Sequence, residues 1–356
     1  MDALALTKED WEARMADLGQ PAYRGGQILD WLYKRRVRAW DDMSNLPAPL
    51  REKLRAAFPT TPLSKICETG APDTTRKFLF RLADGQLIES VLIPASPALY
   101  GEASDRRTIC ISSQVGCAYG CKFCASGLDG WKRNLTVGEI VDQFLQVEAE
   151  SGEKINNIVF MGMGEPLANY ENLLRAITIL NAPWGVGIGA RHMTVSTSGL
   201  VPRIRDLGAQ PLQLRLAISF HGATDEVRSR IMPVNKKYPV EELLAACEDY
   251  VQFKKQRLTF EYILIRNIND DPSQARLLAR QARRVNAKVN LIPYNTVEGL
   301  EWERPSEAHQ EAFLQILQHA GTEATLRREK GHDIAAACGQ LRLQVEKSFA
   351  QPPVLN

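Results

Sequence analysis

Three cysteines within eight residues carry the strongest chemical signal of this sequence. Cys117, Cys121 and Cys124 lie in the segment VGCAYGCKFCASG, with the spacing Cys-x3-Cys-x2-Cys. Thiolates bind soft metals and iron–sulfur clusters. Three thiolates on one short loop can bind three irons of a [4Fe–4S] cluster, which leaves the fourth iron open to a ligand that is not protein. A zinc site completed by Cys110 or by a distant histidine is the alternative.

The cysteine loop follows a strand-like segment, and beyond it strands alternate with helices. The strand-like segments are RTICISSQ, NIVFMGMG, HMTVSTSG, LQLRLAISF, LTFEYILI and KVNLIPYN, and helix-like stretches include 136–151, 169–181, 239–254 and 272–285. This alternation indicates an α/β protein with a parallel sheet or barrel. Six strands are too few for an eight-unit barrel, so we expect a partial barrel. A doubly wound open sheet is the alternative.

Residues suited to ligand binding fall at the predicted C-terminal ends of these strands. Ligands bind at this edge in both candidate folds. Besides the cysteine loop, the edge carries Gly164-Glu165-Pro166, Ser196-Thr197-Ser198-Gly199, Ser219-Phe220-His221 and Asn295. Their common position predicts one binding mouth.

The regions that flank the predicted barrel have a different character. Residues 1–65 are expected to form a small helical domain, and basic side chains outnumber acidic ones in 31–60. This excess indicates either a solvated helix face or a phosphate-facing patch. RKFLFRL and LIESVLIP, separated by ADGQ, predict a β-hairpin extension over 66–100. The core would then span 101–335, with a C-terminal segment at 336–356.

Composition excludes several protein classes. The chain has 356 residues, 44% hydrophobic and 24% charged, which is typical of globular proteins and not of disordered chains, collagens or coiled coils. The apolar runs are too short for a membrane span, and the polar N-terminus does not resemble a signal peptide. We therefore expect a cytoplasmic protein without membrane contact. Seven cysteines, an odd number, argue against a disulfide framework. A net charge of +2 does not by itself indicate nucleic-acid binding.

The motifs resemble a known superfamily and, more narrowly, one family within it. The cysteine loop and Gly164-Glu165-Pro166 resemble the radical S-adenosylmethionine (SAM) superfamily, whose fold is a partial (β/α)6 barrel. There, SAM binds the open iron and is cleaved to a 5′-deoxyadenosyl radical. Nearly the whole chain is similar to the RlmN/Cfr family of radical SAM RNA adenine methyltransferases. The matching segments are CISSQVGC, CKFC, RNLTVGEI, FMGMGEPLAN, VSTSG, MPVNKKYP, FEYILI, NLIPYN and GHDIAAACGQL.

This resemblance implies a reaction and its substrates. Pro166, Ser198 and Pro293 resemble the RlmN branch, which methylates C2 of an adenine in 23S ribosomal RNA and, in several bacteria, an adenine beside the tRNA anticodon. Cfr-like methylation at C8 is the nearest alternative. A non-catalytic zinc protein that binds RNA is a more remote one. The implied partners are 23S rRNA, in some bacteria tRNA, and an electron donor such as flavodoxin or ferredoxin.

The resemblance also implies which residues bind the cofactors. The metal ligands would be Cys117, Cys121 and Cys124. The residues matched to SAM binding are Gly164, Glu165, Ser196, Ser219, Phe220, His221 and Asn295. Taken without the family, His221 could equally be a core histidine. Ser126 and Phe220-His221-Gly222 depart from the commoner Thr and Leu-His-Ala forms of the family.

Two further cysteines and one glutamate match the family's catalytic positions. Cys338, in DIAAACGQ, matches the cysteine that takes a methyl group from one SAM, although alone it would be interpreted as a small buried residue. A radical formed from a second SAM removes hydrogen from that methyl, and the resulting carbon radical adds to adenine C2. Glu89 matches the base that takes the C2 proton. Cys110 then forms a disulfide with Cys338 and frees the product. Cys67 and Cys247 are expected to be structural.

Phosphate contacts dominate the affinity of most proteins for RNA. We expect them from the basic residues of the N-terminal helices, although a merely solvated surface is an alternative for each group. The other candidates are Arg106-Arg107 and Arg327-Arg328-Lys330. The target adenine should be unstacked or flipped out of its RNA.

Overall fold

The structure is a computed structural model, and it describes residues 2–59, 62–71, 74–95, 104–128, 130–295, 300–327 and Arg342. The N-terminal region is helical, as expected. Its helices are α1 (Lys8–Asp17), α2 (Tyr23–Leu29) and α3 (Ala48–Ala57). Helix α1 begins with a capping box, in which Thr7 and Asp10 satisfy each other's backbone amides. Trp11 packs between Trp40 and Phe58, with ring centroids 6.1 and 5.0 Å away.

The main sheet has ten strands, and its two halves run differently. The order is β1-β2-β3-β4-β7-β8-β9-β10-β11-β12, and pairing is antiparallel from β1 to β4 and parallel from β4 onwards. The strands are β1 (Ser64–Thr69), β2 (Arg76–Arg81), β3 (Leu87–Pro94), β4 (Arg107–Cys110), β7 (Asn157–Phe160), β8 (Met193–Thr197), β9 (Arg215–Ser219), β10 (Leu258–Leu264), β11 (Ala287–Pro293) and β12 (Ala324–Leu326). A separate hairpin pairs β5 (Gln114–Gly116) with β6 (Trp131–Asn134).

Helices follow the parallel strands and cover the sheet. They are α4 (Ala125–Leu128), α5 (Val137–Ser151), α6 (Tyr170–Asn181), α7 (Val201–Ala209), α8 (Asp225–Ile231), α9 (Val240–Lys254), α10 (Pro272–Arg284) and α11 (Glu307–His319). Strand side chains such as Ile158, Val195 and Ile218 are fully buried against them. In the described residues, no helix is long and apolar enough to span a membrane.

The predicted α/β fold with a partial barrel is confirmed. All six predicted strands are present as β4 and β7–β11, and the predicted hairpin is β2–β3. Two strands were not predicted from the sequence. Strand β1 adds a third antiparallel strand to the extension, and β12 is a three-residue parallel strand beside β11.

Candidate active site

A cavity of about 330 Å³ opens at the C-terminal ends of the parallel strands, where the sequence predicted the binding mouth. It brings together most of the predicted residues. Those that line it are Cys117, Cys121, Cys124, Gly164, Glu165, Ser196, Ser219, His221 and Asn295. The Phe220 side chain is not among the lining groups, because its ring stacks on Phe260 in the core, at 4.5 Å between centroids.

The cysteine loop is attached at both ends to rigid structure. The amide of Cys117 donates to the carbonyl of Gly130, at 3.0 Å, which ties the loop to the β5–β6 hairpin. Gly116 has φ +72°, and a Cβ there would collide with the same carbonyl. On the other side, the amide of Lys122 donates to the carbonyl of Ile231, at 2.9 Å. The loop is therefore held in place before any ligand binds.

The three thiols suit a cationic metal cluster. Burial, with a smaller contribution from the neighbouring Cys124, raises the pKa of Cys117 to about 12 and that of Cys121 well above its ordinary value. Bound iron would offset both effects, because it stabilises the thiolate form. In the described part of the chain, no three potential ligands surround a single-ion position. A [4Fe–4S] cluster has a different requirement, because each thiolate binds a different iron. The donor set fits such a cluster.

Glu165 links the loop after β7 to the end of β8. Its carboxylate accepts from the amides of Leu167, at 3.0 Å, and Ser198, at 2.7 Å. Its own amide donates to the side chain of Gln114, at 2.9 Å. Burial raises the pKa of Glu165. Ser198 also lines the cavity, and hydrogen bonds from the side chains of Ser198 and Thr197 oppose that rise in the pKa of Glu165.

His221 is held in one orientation as a neutral ring. Its backbone has φ +55°, and its Nδ1 accepts from the amide of Ile263, at 3.0 Å. Burial, together with the smaller effect of the Arg228 cation, lowers the pKa of His221 to about 3. An Nδ1 acceptor in a neutral ring places the proton on Nε2. His221 therefore presents a fixed N–H donor at the cavity wall.

Glu89 and Cys110 lie on adjoining antiparallel strands outside the cavity. Cys110 pairs with Val91 in the register of β3 and β4, so Glu89, two residues from Val91, lies on the same face of the sheet as Cys110. The Glu89 carboxylate accepts from the backbone amide of Arg342, at 2.6 Å, and lies 3.9 Å from the Lys77 ammonium.

The proposed disulfide partner of Cys110 is not visible in this geometry. Cys338 lies outside the described residues, so its role and its pairing with Cys110 stay predictions. No disulfide joins any two of the six cysteines that the structure describes.

Several residues that the sequence predicted to contact RNA instead form ion pairs or hydrogen bonds within the protein. Arg36 and Arg38 form ion pairs with Glu148 and Asp142 on α5, which hold the N-terminal helices against the core. Lys34 and Arg35 both pair with Asp30. Arg107 pairs with Glu153, and Arg106 donates to Thr108. Arg327 lines the cavity, whereas Arg328 and Lys330 lie outside the described residues.

Several residues at the site were missed by the sequence analysis. Glu261 and Asn290, which line the cavity, are joined by a hydrogen bond of 2.7 Å between adjoining strands. The available signal was the alternation of these polar residues with apolar ones along β10 and β11. Trp131, beside the cysteine loop, is 50% exposed and precedes the exposed Lys132. Arg228 is fully buried behind the cavity wall.

Comparisons with known proteins match both parts of the chain. Residues 1–58 match the family model of the ribosomal RNA large subunit methyltransferase N-terminal domain, and residues 111–277 match that of the radical SAM superfamily. A "Probable dual-specificity RNA methyltransferase RlmN" from Akkermansia muciniphila is 54% identical over 343 residues, covering 96% of each chain. A "Dual-specificity RNA methyltransferase RlmN" from Syntrophobacter fumaroxidans is 45% identical over 335 residues, covering 94% of each. The crystal structure of a radical SAM methyltransferase from Sphaerobacter thermophilus superposes with a TM-score of 0.89 at 45% identity, covering 96% of this chain and 98% of the other.

Proposed function

The chain belongs to the RlmN family of radical SAM RNA methyltransferases, and we propose that it methylates C2 of an adenine in 23S rRNA and in tRNA. The dual specificity named for its relatives supports the two substrates. One observation carries the proposal for this chain. Three cysteines on one fixed loop share a cavity with Glu165 and His221, at the predicted edge of the sheet.

The three cysteines, Glu165 and His221 each have a defined task in this proposal. Cys117, Cys121 and Cys124 would hold the [4Fe–4S] cluster, which together with bound SAM supplies a 5′-deoxyadenosyl radical. Glu165 lines the cavity, and an ionised carboxylate only accepts hydrogen bonds, so Glu165 would accept them from an amino group. His221 offers its Nε2–H. The burial of both groups strengthens these hydrogen bonds, because water does not compete.

The second half of the proposed mechanism uses Cys338, Cys110 and Glu89. Ordinary methyl transfer to adenine C2 is disfavoured, since that carbon is electrophilic. In the proposed route the Cys338 thiolate therefore takes the methyl group first. The methyl carbon would then lose one hydrogen atom to the 5′-deoxyadenosyl radical and bond to C2, which produces a covalent link between Cys338 and the RNA. The adduct loses one electron, which the cluster would accept, and Glu89 accepts the C2 proton. The Cys110 thiolate then attacks the sulfur of Cys338 to form a disulfide, and the carbon released from that sulfur takes up a proton to become the methyl group of the product.

A shared sheet face and one hydrogen bond support this assignment. Cys110 and Glu89 share one face of adjoining strands. Arg342, four residues after Cys338 in the chain, donates its amide to Glu89. Four residues of extended chain span at most about 14 Å. The hydrogen bond of Arg342 thus supports an action of the C-terminal segment at this face of the sheet.

Two cysteine variants test the mechanism, because the two residues act at different steps. Cys110→Ala should accumulate a covalent protein–RNA species, seen as a shifted band under denaturing conditions that nuclease trims to protein carrying a nucleotide. Cys338→Ala should give neither this species nor methylated RNA. Cys67→Ala, in the same sheet, is the matched control and should turn over normally. Normal turnover of Cys110→Ala without an adduct would refute the two-cysteine mechanism.

Product analysis tests the position of the methyl group. Mass spectrometry of the modified nucleoside from both rRNA and tRNA should locate the methyl on C2. A methyl on C8 would indicate the Cfr-like reaction instead. Anaerobic reconstitution should give brown protein with broad visible absorbance, whereas colourless protein that retains zinc would favour the non-catalytic alternative.

The proposal includes the partners and the division of the chain. Flavodoxin or ferredoxin is the proposed electron donor, and the cytoplasm is the proposed location. We assign residues 1–65 to an accessory domain, 66–100 to the β-extension, 101–335 to the radical SAM core, and 336–356 to the segment that carries Cys338. Arg36 and Arg38 pair with carboxylates of the core, whereas Lys34 and Arg55 pair with the more exposed Asp30 and Asp41, so Lys34, Lys53 and Arg55 are better candidates for RNA phosphates. Replacing these three should flatten the salt dependence of RNA binding.

A further inference from the structure

Arg228 is a fully buried cation whose partners are all uncharged. It lies on α8 and has no exposed surface. Its Nε donates to the carbonyl of Phe220, at 3.0 Å, and its Nη1 donates to the side-chain oxygen of Asn235, at 2.8 Å. Its Nη2 donates to the carbonyls of Ser198, at 2.5 Å, and Ser219, at 3.4 Å. Every acceptor that it reaches in the described residues is a neutral oxygen.

The fold makes room for this side chain at the ends of two strands. Ser198 directly follows β8, and Ser219 is the last residue of β9. Both residues line the cavity. Gly199, at φ +112°, is one place where a Cβ would crowd the guanidinium, at 3.1 Å. Gly222 is another, where a Cβ would lie 2.7 Å from the Arg228 backbone nitrogen. Two glycines thus allow the guanidinium to bridge both strand ends.

A buried guanidinium without a carboxylate partner is costly, and so its charge calls for an anion nearby. Helix α8, which carries Arg228, ends at Ile231, whose carbonyl accepts from the amide of Lys122 in the cysteine loop, at 2.9 Å. The neighbouring groups able to carry negative charge are Cys121, Asp225 and Cys247. Asp225 keeps its negative charge while it accepts from the backbone amide of Val240 and the side-chain amide of Asn235. Cys247 is a buried thiol whose pKa is raised by burial, so it carries no charge at neutral pH. Once it binds a cluster, the cysteine loop adds a second source of negative charge beside Arg228.

We propose that Arg228 is a positioning residue that supplies the fixed positive charge opposite the cysteine-bound cluster, and that this charge raises the reduction potential of the cluster. The inference rests on the proposed assignment of Cys117, Cys121 and Cys124 as cluster ligands. Three thiolates would give the cluster and its ligands a negative charge, and each added electron would make that charge more negative. A permanent cation therefore favours the reduced form. The same guanidinium holds the strand ends where Ser198 and Ser219 face the cavity.

Lys254 provides a matched control. It is also a buried cation, 4% exposed, and it also donates only to carbonyl oxygens, those of Gln210 and of Leu212, the latter at 2.9 Å. Both carbonyls precede β9, at the opposite end of the strand from Arg228. Removing the charge of Lys254 thus tests the loss of a buried cation far from the cysteine loop.

The test is a redox titration of the reconstituted full-length protein, followed by electron paramagnetic resonance, with iron content measured for each variant. Arg228→Gln should reduce the equilibrium constant for one-electron reduction about tenfold, which is a shift of 59 mV to lower potential. Arg228→Lys, which keeps the charge, should stay within about threefold of the wild type. Lys254→Gln should not move the potential. An Arg228→Gln protein with full iron and an unchanged potential would overturn the proposal.

If Arg228→Gln does not fold or does not load iron, a second variant tests the proposal. Asn235→Asp places a carboxylate against Nη1 and should lower the potential in the same direction, while the arginine stays in place. A wild-type potential in this variant would also overturn the proposal, as would an Arg228→Lys protein whose potential falls as far as that of Arg228→Gln. Failure of the wild-type chain to bind a cluster would instead refute the ligand assignment.

Discussion

Gly164 offers a sharp test of how the cavity is shaped. Its backbone has φ +97°, a conformation that L-residues rarely adopt. A Cβ there would lie 2.5 Å from the Cβ of Gln114 and 2.8 Å from its backbone nitrogen. Gln114 cannot easily move, because its side chain accepts from the amide of Glu165 and donates to Asn134, at 2.8 Å. Gly164→Ala should therefore displace Glu165 from the cavity wall.

The magnitude follows from two costs. The left-handed backbone costs an alanine about 1–2 kcal/mol. Forcing a methyl group into a filled site costs about 1–3 kcal/mol more. The sum is about 2–5 kcal/mol, and each 1.4 kcal/mol is about tenfold in affinity. If the loop relaxes by giving up its ligand-binding geometry, SAM binding should weaken by about 30-fold or more.

The assay is anaerobic equilibrium binding of SAM to the iron-loaded protein, together with urea unfolding. Gly187→Ala is the matched control, because Gly187 has φ +85° but nothing within 4 Å of the added Cβ. It should lose about 1–2 kcal/mol of stability without a change in SAM affinity. A Gly164→Ala protein that binds SAM within threefold of the wild type would refute the reasoning from steric fit.

Three further predictions concern charge and exposure. Because burial lowers the pKa of His221 to about 3, the unfolded state binds more protons below pH 6.5 and stability falls as the pH drops. His221→Gln should remove roughly 1 kcal/mol of the loss in urea stability between pH 7.5 and 5.5; an unchanged pH dependence would contradict this. Arg38→Ala leaves a buried carboxylate unpaired and should cost about 3 kcal/mol in the same assay, whereas Arg55→Ala, in an exposed ion pair, should cost under about 1 kcal/mol; equal losses would be inconsistent with a docking role. Trp131→Ala should weaken RNA binding about tenfold through lost base stacking, with Trp131→Phe close to the wild type, and equal affinities in a filter-binding assay would show that the ring does not contact RNA.

The strands of the barrel were predictable because they are buried and therefore consist largely of apolar residues. NIVF and LAIS are apolar runs between polar turns, and each became a buried parallel strand. Strand β1 reads SKICET and is exposed or half-buried along its length, so it lacks the apolar signal. Its existence depends on pairing with β2, which is a tertiary contact. Strand β12 has only three residues, too few for any periodicity.

The residues of the site also divide into those that were predictable from the sequence and those that were not. The cysteine loop and the Gly164-Glu165-Pro166 turn were predictable because their chemistry depends on residues close in sequence. The basic N-terminal patch was not, since the partners of Arg36 and Arg38 lie 112 and 104 residues away on α5. Arg228 was missed for a related reason: a lone arginine on a helix usually indicates a solvated face. Its burial arises from the three strand-end carbonyls that it bridges.

The antiparallel extension belongs to the same hydrogen-bonded sheet as the barrel, and this has a consequence for the proposed chemistry. Strand β3 carries Glu89, β4 carries Cys110, and the register of Val91 with Cys110 puts both side chains on one face. Lys77 on β2 adds a cation on the same side, 3.9 Å from Glu89. A slip of one residue between β3 and β4 would turn Glu89 to the opposite face without disturbing any parallel strand. The position of the proposed base relative to the proposed resolving cysteine is therefore set by strand register in the extension, and the barrel alone could not provide it.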